Sequence, residues 1–145
     1  MSNTEQMKKG KFQDVITVFL TCGGKVLVLK RSGKVGTYKG HWAGVSGYLE
    51  SVDPLKQAYV EMAEELGLGK EDVSLVRMGE PLEVFDPSLE HAWRVHPFLF
   101  VVHKPDKIRL DWENVEMRWV LPEEIVQLQT VPALKEALGR VIGDG

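Results

Sequence analysis

Glu61, Glu64 and Glu65 stand three and four positions apart, just before Gly67. At about 100° per residue, such positions share one side of a helix. Three carboxylates then fall on a patch roughly one turn long. No Lys or Arg stands three or four residues from any of them; positions 57, 58, 60 and 68 are Gln, Ala, Val and Leu. Like charges at this spacing destabilise a helix by roughly 0.2–0.5 kcal/mol per pair. A hard divalent cation such as Mg²⁺ offsets that repulsion, because it prefers carboxylate oxygen. The competing reading is an acidic face kept in solvent, which is common on helices.

The flanks of the triplet separate the two readings. The stretch GVSGYLESVDPLKQAYVEMAEELGL resembles the Nudix box, G-x5-E-x7-R-E-U-x-E-E-x-G-U with U aliphatic. Glu61, Met62, Glu64, Glu65, Gly67 and Leu68 fill its helical end, and Gly47 fits the opening glycine. Glu50 fits a frequent loop acid three residues on. Val60 stands where the box has Arg, and the segment between Gly47 and Glu61 is one residue short. The first box Glu therefore has no counterpart; Asp53 is the nearest substitute, or else a helix N-cap.

The resemblance implies a metal site. Glu61, Glu64, Glu65 and the Gly47 carbonyl would be its ligands, with Glu65 the firmest, and Mg²⁺ the ion, with Mn²⁺ a substitute. It implies hydrolysis of a diphosphate linked to another moiety, most often a nucleoside diphosphate derivative, by water attacking a phosphorus. Glu61 or Glu113 would be the base. Glu113 precedes Trp119 by six residues in DWENVEMRWV, similar to a family segment whose loop acid binds metal or activates water; Glu116 competes for the role. The alternative is a ligand-binding or regulatory Nudix domain with little turnover, which Val60 and the shortened loop favour. An isopentenyl-diphosphate isomerase of the same fold would need a loop cysteine, whereas Cys22 adjoins the tight Gly23-Gly24 turn.

Other residues are candidates for substrate contact. Arg31 and Lys30 end a strand beside a basic loop and suit phosphate, and Glu50 would approach the substrate from its loop. In EHAWRVHPFLFVV the period of two places Trp93 and Val95 on one face, Arg94 and His96 on the other. Arg94 and His96 are candidates for reading phosphate or base; a cross-strand pair of Arg94 with Glu83 is the structural alternative. Tyr38 and Trp42 are stacking candidates, or core aromatics. The histidines lack zinc spacing, and neither a nucleophilic triad nor a P-loop is present.

These residues need a scaffold. Strands are expected at Phe12–Cys22, Lys25–Arg31, Val73–Phe85, Ala92–His103 and Glu116–Leu121, with two brief strands within Trp42–Leu49. Gly23-Gly24 marks a hairpin. Asp53-Pro54 predicts an N-cap and a first helical residue. The helix runs to about Leu66, with Leu55, Ala58, Met62 and Leu66 inward. Pro122–Leu128 and Pro132–Ile142 are expected as short closing helices. This order predicts an α+β fold with a partly antiparallel sheet; the Nudix resemblance implies an α-β-α sandwich over nearly the whole chain. Residues 1–11 read as a flexible tail and 12–145 as one domain.

Composition narrows the function classes. The chain has 145 residues, 43% hydrophobic and 27% charged, one cysteine and net charge −3. One cysteine rules out an internal disulfide and suits the cytoplasm. The polar start MSNTEQMKKGK shows no signal-peptide core, and the apolar runs are too short to span a bilayer. Residues 1–40 hold eight lysines and arginines against two acids; the remainder holds ten against nineteen. That polarity suits a small phosphate-bearing ligand and argues against a broad nucleic-acid surface. A homo-oligomer stays open.

Overall fold

The computed structural model describes residues 12–50 and 52–142; the expected tail lies outside them. Eight strands form one mixed sheet: β1 (Gln13–Cys22), β2 (Lys25–Arg31), β3 (Trp42–Ala43), β4 (Val45–Tyr48), β5 (Val73–Met78), β6 (Leu82–Asp86), β7 (His91–Val102) and β8 (Asn114–Val120). Among the described residues the α-helices are α1 (Pro54–Leu66) and α2 (Leu134–Gly139), and Pro122–Gln127 forms a 3₁₀ turn.

β1 is the organising strand. It pairs in parallel with β7 from Gln13↔Trp93 to Thr21↔Val101. Its start pairs antiparallel with β4 and its end with β2, and β2 also carries β3 and β8. β5 and β6 both pair with β7. Because successive side chains point to opposite faces, β1 serves two cores. Ile16, Val18 and Leu20 meet Ala58, Met62 and Leu66 of α1, with Phe98 and Phe100. Phe19 faces the other way, toward Leu99, Ile125 and the α2 residues Leu134 and Leu138. A strand covered on both faces reads as the unbroken apolar run VITVFL. The result is the expected α-β-α sandwich.

Local chemistry sets the ends of α1. Asp53 Oδ1 accepts from the N–H groups of Leu55 (3.0 Å) and Lys56 (3.3 Å), and Pro54 opens the helix. Gly67 closes it in the left-handed region, φ 70°. The Gly67 N–H then reaches Ala63 O and the Leu68 N–H reaches Met62 O, satisfying carbonyls that the helix end would otherwise orphan. Gly23 and Gly24, at φ 60° and 80°, make the tight hairpin between β1 and β2.

Two expectations are corrected. The strand expected over Val73–Phe85 is two strands, because Gly79 and Pro81 interrupt it; Pro81 has no N–H for the ladder. The closing helix starts at Leu134 rather than Pro132, since Ala133 holds φ 64° and cannot belong to a right-handed helix. Of the two readings of Trp42, the core one holds: it is 7% exposed, with the Arg118 guanidinium over its ring at 4.7 Å.

The cap yields a stability prediction. Asp53→Ala is expected to destabilise by about 0.5–2 kcal/mol, and Asp53→Ser by much less. Denaturant unfolding measures both. Equal losses for the two variants would show that Asp53 does something other than cap.

Candidate functional site

α1 buries two adjacent rows at i+4 spacing. One is apolar: Ala58, Met62 and Leu66. The other is polar: Gln57, Glu61 and Glu65, exposed by only 5%, 8% and 2%. The next row, Val60 and Glu64, faces outward, with Val60 at 40% exposure. The expectation of three glutamates on one open face is therefore corrected. A 100° step cannot place i, i+3 and i+4 equally deep, and Glu64 alone of the three is exposed.

The buried pair is held by neutral donors. Gln57 Nε2 donates to Glu61 Oε2 at 3.0 Å. Asn114 Nδ2 donates to Glu65 Oε1, and the Ser46 N–H to Glu65 Oε2, both at 3.2 Å. Gly47 lies directly over Glu61: a Cβ there would collide with its carboxylate. Gly44 is confined as well, since a Cβ would stand 2.8 Å from Val18 O. Gly44 has backbone against it and no room for a side chain, whereas at Gly47 a side chain would displace the Glu61 carboxylate.

Burial dominates the titration of this pair. It pushes the Glu61 carboxyl up to about 7; the Gln57 hydrogen bond opposes, and Glu64, Glu113 and Glu50 add repulsion. It pushes Glu65 up to about 9, with Glu113 the largest charge contribution. Glu113 is raised by burial and by Asp111. Arg31 is lowered by burial, against the attraction of Glu65 and Glu113. So β2 supplies the cation that Val60 does not.

A cleft of about 510 Å³ opens at this point. Glu50, Glu61, Glu64 and Glu113 line it, with Gly47 and Arg31 among them. Arg31 Nε and Nη2 donate to Thr37 O at 3.0 and 2.9 Å, which fixes the guanidinium at the wall. The cleft continues past Tyr38, Val84, Trp93 and Val95 to Ala133 and Leu134 at the start of α2.

Arg94 and His96 do not reach the cleft. They occupy the opposite face of β7, as the period of two requires, and Trp93 and Val95 face inward instead. Arg94 pairs with Glu83 at 3.4 Å and with Asp14 at 3.6 Å, and His96 Nε2 lies 2.9 Å from Asp14 Oδ1. Glu116 pairs with Arg118 on the surface, which leaves Glu113 as the loop acid of the cleft. Asn114 was invisible as a functional residue, because its bond to Glu65 spans 49 positions. Its neighbour Glu113 was the nearest signal.

The donor set suits a hard cation. It is all oxygen, and the buried carboxylates have only neutral groups as hydrogen-bond donors among the described residues. Among those residues, no three His, Cys, Asp or Glu side chains already converge closely enough to hold an ion.

The family model for the NUDIX domain matches residues 11–140. The chain belongs to the Nudix family. That membership makes it a Nudix-type hydrolase. No curated protein matches it in sequence. Solved structures share the fold. An Ap4A hydrolase binary complex from C. elegans is 19% identical with TM-score 0.70, over 88% of this chain and 93% of that one. A MutT Nudix hydrolase from Burkholderia pseudomallei is 20% identical with TM-score 0.67, over 90% and 98%. The E. coli dihydroneopterin triphosphate pyrophosphohydrolase is 17% identical with TM-score 0.68, over 88% and 94%.

A pH dependence follows from the buried pair. Glu61 and Glu65 both hold protons more tightly in the folded chain than at their ordinary value of 4.5. Between the ordinary and raised values the native state binds more protons, so stability falls as pH rises. Without added metal, as far as these two groups decide it, the melting temperature should be highest below about pH 4.5. It should decline through about 7 and about 9. Glu65→Gln should flatten the upper part of that decline. A metal-free melting temperature that rises from pH 6 to 9 would contradict the assignment.

Proposed function

We propose that this Nudix chain is a divalent-metal-dependent hydrolase of a diphosphate linked to another moiety, X, with nucleoside diphosphate derivatives as the substrate class. One observation carries the reading. Four glutamates and Arg31 line one end of the cleft, and its other end is apolar and large enough for an organic group. A volume of this size is typical of small-molecule sites.

Glu61, Glu64 and Glu65, with the Gly47 carbonyl, would hold Mg²⁺, for which Mn²⁺ is the expected substitute. When bound, the metal would neutralise the diphosphate and lower the pKa of a coordinated water. The rest falls to the chain's own groups. Arg31, anchored on Thr37, orients the anionic diphosphate by charge. Glu50 lies at the rim beside it. Glu61 or Glu113 would accept the proton of the attacking water. Asn114 and Gln57 keep the buried carboxylates in fixed rotamers. No covalent intermediate is required.

A domain that binds its ligand with little turnover is the second reading. Val60 in place of the box arginine favours it, as does the depth of Glu65. Small-molecule partners and the cytoplasm suit either reading. Among the described residues no helix is long and apolar enough to cross a membrane.

Phosphate release from a panel of nucleoside diphosphate derivatives, with Mg²⁺ and then Mn²⁺, separates the two. Glu65→Gln should reduce metal-dependent turnover at least about 100-fold while the protein stays folded. Undiminished turnover would remove Glu65 from the site.

Mg²⁺ should also raise the melting temperature, because an ion that binds only the folded chain stabilises it by mass action. The increase should be larger at pH 8 than at pH 6, since binding displaces protons from Glu61 and Glu65. A Mg²⁺ titration that leaves melting unmoved at both pH values would speak against a metal site on these residues.

A further inference from the structure

β8 forms one outer side of the sheet. Among the described residues it pairs with β2 alone. An edge of this kind is a template for a further strand unless something blunts it. The edge at β5 is blunted. Its register shifts in mid-strand, between Leu75 and Arg77, and Gly79 and Pro81 interrupt the chain before β6. β8 is irregular only at its start. Lys30 faces Glu116 and Arg31 faces Asn114, so Val115 is the extra residue of a bulge. That bulge turns Asn114 to the side of Glu65. From 116 to 120 the strand is regular and antiparallel to β2.

The side chains of β8 sort by face. Met117 and Trp119 are half-buried at the margin of the α1 core. Val115 is 63% exposed. Glu116 and Arg118 lie on the other face, both exposed, and pair with each other at 3.4 Å. Across the ladder on β2, Glu116 meets Lys30, but Arg118 meets Val28. Arg118 therefore has no acid opposite it on β2.

The order Glu116-Met117-Arg118 is its own complement when reversed. Set antiparallel to a second copy about Met117, Glu116 stands opposite Arg118 of that copy, and Arg118 opposite its Glu116. Met117 meets Met117, and Trp119 meets Val115. Charge then alternates across three strands, from Lys30 through Glu116 to Arg118 of the second copy. Opposite charges facing across a ladder stabilise it, and like charges destabilise it. The same rule fixes the register. Faces match only when the axis moves by a whole residue along the strand. A step to either side centres it on Glu116 or on Arg118, and sets like charges face to face.

We propose that two copies of this chain dimerise by pairing β8 with β8, antiparallel about a twofold axis at Met117. The contact is isologous, the same patch serving both copies. It gives Arg118 the acid that β2 does not supply, and it covers the exposed margin at Val115, Met117 and Trp119.

Sedimentation velocity of the full chain from about 1 to 100 μM reads the association. Wild type should pass from monomer to dimer within that range. Glu116→Arg sets arginine against arginine twice in the dimer, and Arg118→Glu sets glutamate against glutamate twice. Each should weaken association at least about 10-fold. An equimolar mixture of the two variants should associate again, because opposite signs then face each other at both positions. A role within one copy gives no such rescue. The register is read separately. Met117→Cys in a Cys22→Ser background should form a disulfide between copies on mild oxidation, since Cα atoms paired across an antiparallel ladder lie about 4.5–5.5 Å apart. Val126→Cys, exposed but outside the strand, should not. Melting curves establish that each variant is folded. If Arg118→Glu is not, Glu116→Arg and the Met117→Cys crosslink decide. A wild type that stays monomeric throughout overturns the proposal. So does a dimer that the single reversals leave unchanged, a mixture of folded variants that fails to associate, or the absence of the Met117→Cys crosslink.

Discussion

Two carboxylates buried beside each other on α1 govern the rest of the site. Removing a carboxylate from water is costly unless it is protonated, paired or bound to a cation. Glu61 and Glu65 are not exposed enough to rely on solvent, so the neighbouring elements are shaped around them. Gly47 leaves room for one carboxylate. Gln57 and Asn114 donate to the pair, and Arg31 approaches from a different strand. A carboxylate pair with only neutral donors is left dependent on proton or cation, and that dependence makes the site responsive to both.

The same arrangement explains how the chain copes with a box that departs from its family's pattern. Position 60 lies on the exposed row of α1, so valine there leaves the buried row intact. The positive charge beside Glu65 and Glu113 comes instead from Arg31 at the end of β2. The shortened loop places Asp53 at the helix start, where its carboxylate caps backbone N–H groups. Capping and metal binding compete for the same oxygens, and this geometry commits at least one of them to the helix.

Local signals were the legible ones. Asp53-Pro54 and Gly67 bound α1 at the residues where the structure bounds it, because caps act within a few residues. Gly23-Gly24 set the hairpin for the same reason. The period of two on β7 told which side chains share a face, but not which face meets the cleft. Arg94 and His96 therefore looked like site residues until the sheet showed Trp93 and Val95 inside. Asn114 on Glu65, Tyr38 on Asp86 and Arg31 beside Glu65 each join distant segments, and no local pattern encodes them. Spacing put Glu61, Glu64 and Glu65 on one side of α1, but it reports direction around a helix, not how far the covering layer extends.

The parallel pairing of β1 with β7 has a consequence during synthesis. β2 can fold back on β1 within about 1–10 μs of leaving the ribosome, since only a tight turn separates them. β7 lies some eighty residues further along, which at about 5–20 residues per second takes roughly 4–16 s to translate. Throughout that interval a strand whose middle is buried on both faces in the finished fold has an open edge and nothing from β7 to close it. The nascent protein is then most exposed to mispairing with another chain, at the strand on which the finished sheet most depends. Slow translation between β1 and β7 prolongs the hazard, and a ribosome-associated holdase would act there first.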